Sequence, residues 1–314
     1  MDFRFSDDQL TLVDSVRDYL AGTHGPEVLR RLDAESNRDP AIWQGLVEMG
    51  LTALCVPEEH GGLGMGLLEA VVIAAECGRA CLAEPLVDTA FVAVPWLVAK
   101  GETADLAAIV AGERKIALPH VLNPWVADGA EDFGDKPLQS VDPLRNLVRF
   151  PATGSTDDHL LNLGALMSAA QLLGLADAML HQAVEYAKVR TQFGQPVGAF
   201  QGLKHQLSSC AVAIEFAKPV VWRAAQALQD GAASAALHVS HAKLAATDAA
   251  IQTAETAIQV HGAMGYTYEV DLHFWMKRAW ALAGAWGDRS FHYKRVDKAV
   301  LSGAHPIGPE HTFA

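Results

Sequence analysis

The chain has 314 residues, is 50% hydrophobic and carries a formal net charge of −13 at pH 7. That length suits about two units of ordinary domain size, with enough apolar material for a large core that needs no staples. The acidic balance argues against nucleic acid or an anionic membrane surface as a partner, because both reward a basic face, although a local basic site for an anionic cofactor stays open.

The N-terminus, MDFRFSDDQL, lacks the basic-then-apolar pattern of a leader, and no apolar run is expected to reach the ~20 residues that span a bilayer. A reduced, cytoplasmic setting is therefore expected. Ser6-Asp-Asp-Gln9 is a capping box, and apolar residues recur behind it at Leu10, Val13, Val16 and Leu20. Asp39-Pro40 predicts a second helix, ending at Gly50. VPEEHGGLGMG is a glycine-rich loop, LLEAVVIAAECGRACL returns to helical spacing, and ADLAAIVAGE predicts a further short helix. Cys77 and Cys81, four apart on that longer helix, read as small core residues, and Cys55 and Cys210 add no Cys-x-x-Cys pair. Residues 1–112 thus predict an all-helical unit.

Between Lys115 and Ser155 the character changes. KIALPHV and RNLVRF predict short strands separated by Pro, Gly and Asp, a reduced middle β segment over 113–156. From Asp157 to Gly303 the pattern is helical again, in segments 157–190, 199–230, 232–262 and 269–302 joined by short breaks, as in an antiparallel four-helix bundle. Residues 304–314 predict an irregular tail. The fold class expected is mostly α.

Candidate chemistry lies at two breaks in the bundle. RTQFGQPVGAFQ interrupts a helix, and turns held on a rigid scaffold are where binding groups sit. Arg190 offers a planar fork to phosphate, Phe193 a ring face, and Gln201 a donor and acceptor for a nucleobase edge. The bland alternative is a helix–helix turn whose arginine answers the helix dipole. The second break, QVHGAMGYTYE, places Gln259 beside Gly262 and Gly265, whose backbone amides can approach a phosphate closely. Taken alone, that stretch is also a helix C-cap followed by a turn. No di-iron spacing, P-loop, dinucleotide fingerprint or nucleophile elbow occurs, and no metal site is expected.

Three stretches resemble the acyl-CoA dehydrogenase family. VPEEHGGLGMGLLEAVVIAAECGRA is similar to its P-E-E-x-G-G-x-G segment. YAKVRTQFGQPVGAFQGLKHQLS is similar to its R-x-x-F-G…Q motif, and AIQVHGAMGYTYEVDLHFWMKRA to its Q-x-x-G-G-x-G-Y segment. The resemblance covers about 1–112 and 160–300. It implies a helical N-terminal domain, a middle β domain and a C-terminal four-helix bundle, with bound FAD and α,β-dehydrogenation of an acyl-CoA thioester. It implies further that Arg190, Phe193, Gln201, Gln259 and Gly262 reach a neighbouring subunit's FAD. The second glycine of the family's pair is Ala263 here.

Two departures accompany the resemblance. The family's catalytic glutamate, in a Y-E-G-T element, is replaced: AGAWGDRS puts Trp286 at the glutamate position and Asp288 at the threonine. Indole has no lone pair available to take a proton. The alternative base position of some members falls near Gly164, where no carboxylate is close, and Asp288 is a displaced substitute base. The middle β segment is also short, and its tryptophan strand has no clear counterpart, with Trp125 expected in a turn. Together these imply one chain of an α2β2 heterotetramer, resembling bacterial enzymes of steroid catabolism, in which a homologous partner supplies the base and this chain completes the FAD site. An electron-transfer flavoprotein or similar acceptor is implied as the oxidant. The alternatives are a self-sufficient homomer using Asp288 and a flavin-free scaffold. The dense aromatics Phe274, Trp275, Trp280 and Trp286 suit either core or an obligate interface.

Overall fold

At Ser6 the hydroxyl accepts the Gln9 N–H at 3.2 Å, while the Gln9 side chain accepts the Ser6 N–H at 2.8 Å. This reciprocal cap opens α1 (Asp7–Thr23) in the computed structural model, which describes residues 3–35, 38–127, 137–138, 140–145, 147–149, 154–305 and 308. A helix the sequence pattern did not separate follows as α2 (Pro26–Glu35), burying Leu29 and Leu32. Asp39-Pro40 therefore opens the third helix, α3 (Pro40–Glu48), not the second; the Asp39 carboxylate accepts the Ala41 N–H at 3.0 Å. The glycine-rich loop leads into α4 (Leu67–Arg79). A second unforeseen stretch is the π-helical turn Val87–Ala93, which runs straight into α5 (Val94–Lys100) before α6 (Leu106–Val110). Its side chains are buried almost throughout, so no amphipathic period marks it in the sequence.

The middle segment contributes β1 (Trp125–Ala127), β2 (Pro137–Leu138) and β3 (Leu147–Arg149). They form an antiparallel sheet with β3 central, Trp125 facing Arg149 and Pro137 facing Val148. β3 lies in the expected RNLVRF stretch. KIALPHV forms isolated bridges from His120 to Asn123 and Ser155 in place of a strand. Trp125 starts β1 and is not the turn residue expected. The Arg278 guanidinium, fully buried, pins this segment to the bundle by binding the buried Asp142 carboxylate and donating to Leu82 O at 2.8 Å.

α7 (Asp158–Val189) is the axis of the molecule, with α4, α8 (Gln201–Gln229), α9 (Ala235–His261) and α10 (Leu272–Gly284) packed around it. By length and composition it could cross a bilayer, contrary to the sequence expectation, yet 83% of its apolar window is buried inside the fold. A helix apolar on every face is the core helix of a large fold. Glycines let α4 approach it: a Cβ at Gly78 would overlap Gln171 O, and one at Gly174 would overlap Ala75 O. The fourth bundle segment is not one helix. Trp286 (φ +57°) and Gly287 (φ +92°) break it into α10 and α11 (Arg289–Leu301). Phe274, Trp275 and Trp286 are core residues and Trp280 is exposed. Most of the expected tail, 304–314, lies outside the described residues.

Candidate functional site

Arg190 is where α7 ends. Its N–H still donates to Tyr186 O at 2.9 Å, but its own backbone is extended. The chain then turns through a two-stranded hairpin, β4 (Thr191–Gln192) with β5 (Gln195–Pro196). Phe193 (φ +53°) and Gly194 (φ +80°) form the tip, the left-handed pair that a two-residue hairpin requires. The Val197 N–H donates back to Arg190 O at 2.8 Å, and α8 begins at Gln201. Phe193 is 92% exposed, and its ring centre lies 6.2 Å from that of Phe200 in an edge-on arrangement. The Arg190 guanidinium is exposed and makes no ion pair or hydrogen bond among the described residues.

The second break adjoins the first. α9 stops at His261, and Gly262 takes φ +61°, ψ −137°, a conformation essentially closed to any residue with a Cβ. Tyr186, one turn before Arg190, stacks on His261 at 4.3 Å, and its hydroxyl lies 3.9 Å from Met264 Sδ. This contact brings Arg190 and Phe193 to the same end of the bundle as Gln259 and Gly262. Arg190, Phe193, Gln201 and Gln259 are exposed, and Gly262 is half-buried. An unpaired guanidinium, a backbone turn open to close approach and exposed ring faces make a surface suited to a phosphate and a planar ring.

A separate constellation lies around Trp286. Its indole sits directly on Gly164, and a Cβ at Gly164 would overlap the ring. The two positions considered for a base therefore meet in space, one holding an indole and the other the residue small enough to admit it. The loop is fastened from both sides. The Trp286 N–H donates to Asn123 Oδ1 at 3.3 Å, and Trp286 O accepts from His292 Nε2 at 3.0 Å. His292 Nδ1 then accepts the Ser240 hydroxyl at 3.1 Å. Burial, helped by the charge of Lys243, holds the imidazole neutral, with its pKa down to about 4. Lys243, whose ammonium donates to Leu282 O, is itself lowered to about 7 by burial. What remains beside the indole is a cavity of about 30 Å³ touching Asn123, Trp125, Met167 and Gln171. That admits a water or two, whereas ligand pockets occupy about 300–1,000 Å³.

Asp288 does not face this cavity. It is exposed, and its carboxylate accepts the Phe291 N–H at 2.8 Å as the N-cap of α11. Sequence reasoning found Trp286 and Gly164 separately but missed their contact, and missed Asn123 and His292. The one signal available was a histidine six residues beyond the tryptophan, which spacing alone does not interpret.

Comparison with known proteins identifies the family. Residues 6–104 match the acyl-CoA dehydrogenase N-terminal domain, and residues 156–301 match the acyl-CoA dehydrogenase C-terminal domain. The acyl-CoA dehydrogenase IpdE2 of Mycobacterium tuberculosis is 32% identical over 290 residues, covering 85% of this chain and 89% of that one. The fold is shared with the ChsE4–ChsE5 complex of Mycobacterium tuberculosis, with TM-score 0.84 at 22% identity over 98% of this chain and 100% of that one. It is shared also with a Tcur3481–Tcur3483 steroid ACAD variant, with TM-score 0.82 at 23% identity over 96% and 99%. With both family domains matched in order and a relative aligned along most of its length, the chain belongs to the acyl-CoA dehydrogenase family.

Proposed function

We propose that this protein is one chain of a heteromeric, FAD-dependent acyl-CoA dehydrogenase, and that it completes a partner's FAD site without running a complete site of its own. The observation that carries this reading is the Trp286 indole seated on Gly164, the two positions at which the family resemblance would place a base, with a cavity of about 30 Å³ beside them. A flavin ring and a thioester do not fit there. The exposed surface of Arg190, Phe193, Gln201, Gln259 and Gly262 does fit part of the cofactor: a free guanidinium suits the pyrophosphate and the exposed phenylalanines suit a ring face.

FAD, when bound, supplies the acceptor for the β-hydride of an acyl-CoA thioester. This chain's residues then bind and orient. Arg190 neutralises phosphate charge, Phe193 covers a ring, Gln201 and Gln259 satisfy polar edges, and Gly262 permits close backbone approach. The proton-abstracting carboxylate belongs to the homologous partner chain in an α2β2 assembly, and an electron-transfer flavoprotein or similar acceptor reoxidises the flavin. The likeness to solved structures that include a steroid ACAD and a two-protein complex supports a bulky, steroid-derived acyl group and an unlike partner. Within this reading, residues 1–112 form a helical domain, 113–156 a reduced β domain, 157–303 the four-helix bundle and 304–314 a tail, and the enzyme is cytoplasmic.

The test is flavin content against native mass, for the chain alone and co-expressed with a homologous chain from the same organism. A colourless chain alone and a yellow heterotetramer holding one FAD per pair of unlike chains is expected. One FAD per chain in a stable homomer would overturn the reading and return attention to Asp288.

A further inference from the structure

The groups assigned to the flavin stand on two pieces of chain that leave the bundle at one end. Arg190 and Phe193 belong to the hairpin after α7, and Gln259 and Gly262 to the end of α9 and the turn beyond it. Core packing fixes the helices themselves, but in the turn Gly262–Tyr266 only Gly265 is buried. A Cβ at Gly265 would overlap Ile258 O, so that one residue is pressed against α9. Met264 and Tyr266, on either side of it, are exposed.

Tyr186 bridges the two pieces. It lies on the last turn of α7, and its ring stacks on His261 at 4.3 Å with 31° between the planes. Its hydroxyl reaches the Met264 thioether at 3.9 Å. His261 is buried, and its Nδ1 lies 2.7 Å from Ala257 O. A carbonyl only accepts, so Nδ1 carries the proton and this bond fixes the orientation of the ring. One aromatic pair thus sets the last residue of α9 and the middle of the turn from the end of α7. The same end of α7 carries the first break: a Cβ at Gly198 would press on Ala187 O at 3.0 Å, and the Val197 N–H donates to Arg190 O at 2.8 Å.

We propose that Tyr186 and His261 are positioning residues for flavin binding, a role that rests on the flavin reading above. They act by fixing how Arg190 stands relative to the Gly262 backbone, so that both grip one dinucleotide. Groups that share a ligand must be held to within about 0.5 Å by packed neighbours, and a turn this exposed gains that precision from the stack rather than from the core.

The test measures FAD dissociation constants and native mass of the complex co-expressed with the homologous chain. Tyr186→Leu keeps apolar volume but removes the stack, and should weaken FAD about tenfold with the native mass unchanged. Tyr186→Phe keeps the stack and loses only a weak contact to sulfur, so it should stay within about twofold. His261→Leu removes the other ring and should match Tyr186→Leu, with the two together little worse than either. Tyr186→Leu combined with Arg190→Ala should weaken FAD by clearly less than the product of the two single effects, because the first change acts by misplacing the group that the second removes. A general loss of packing would instead multiply the two, and that result would overturn the proposal. So would loss of the complex itself on Tyr186→Leu, which would make Tyr186 a support of the fold. Arg190→Ala without effect on FAD would remove the flavin reading and this role with it, whereas an effect of Arg190→Ala with none of Tyr186→Leu would remove the positioning role alone.

Discussion

At the scale of single residues, Gly164 and Trp286 act as one unit. An added methyl group at Gly164 meets a buried indole that loop hydrogen bonds hold in place, so Gly164→Ala should destabilise by about 1–3 kcal/mol through overpacking. Combining it with Trp286→Phe should recover part of that loss, a non-additivity that denaturant midpoints of the two single variants and the double variant will measure. Arg190→Ala should leave the fold intact, because its side chain has no partner among the described residues, and should weaken flavin retention in the complex. A charge-assisted hydrogen bond of about 1.5–3 kcal/mol corresponds to roughly 10- to 150-fold. Unchanged flavin content of the purified variant complex would remove Arg190 from the site. Asp288→Asn preserves a good N-cap, so the complex should keep kcat within about threefold, where loss of a true base would lower it about 10²–10⁴-fold. These residues were legible to different degrees. Trp286 stood out because a known motif predicts a carboxylate there. Asn123 and His292 did not, because each acts through a contact across more than one element.

At the scale of elements, the capping signals were reliable and the breaks were partly so. Ser6, Asp39 and Asp157 cap helices through side-chain oxygens, which is local chemistry that a few consecutive residues decide. The π turn at Val87 and the division of α10 from α11 were not visible, since buried helices lack an amphipathic period and the Trp286 turn depends on its anchors. The short sheet is held to the bundle by Arg278 and Asp142, both buried. Removing one member leaves a buried charge unmatched, so Arg278→Met should lower stability by about 3–5 kcal/mol, read from chemical denaturation. A change below about 1 kcal/mol would show that solvent reaches the pair.

At the scale of the whole molecule, buried bases set the acid limb of stability. Burial depresses the imidazoles of His24, His238 and His292 to about 4, whereas in the unfolded chain they titrate near 6.5. Between those values the unfolded state binds more protons than the native state, so stability should fall as pH drops from about 6.5 to about 4. Below that range these groups add no further slope. Thermal melts across the interval should show the fall, and His292→Gln should flatten it.

The sequence by itself determined the helical architecture, the two breaks in the bundle and the family. Those features rest on periodicity, caps and short motifs, which neighbouring residues encode. Only the tertiary structure decided that Trp286 closes on Gly164 and that Tyr186 ties the two breaks together. Each of these is a contact between elements distant in the chain. Its free energy comes from shape and from the removal of water, and no local pattern of residues records either.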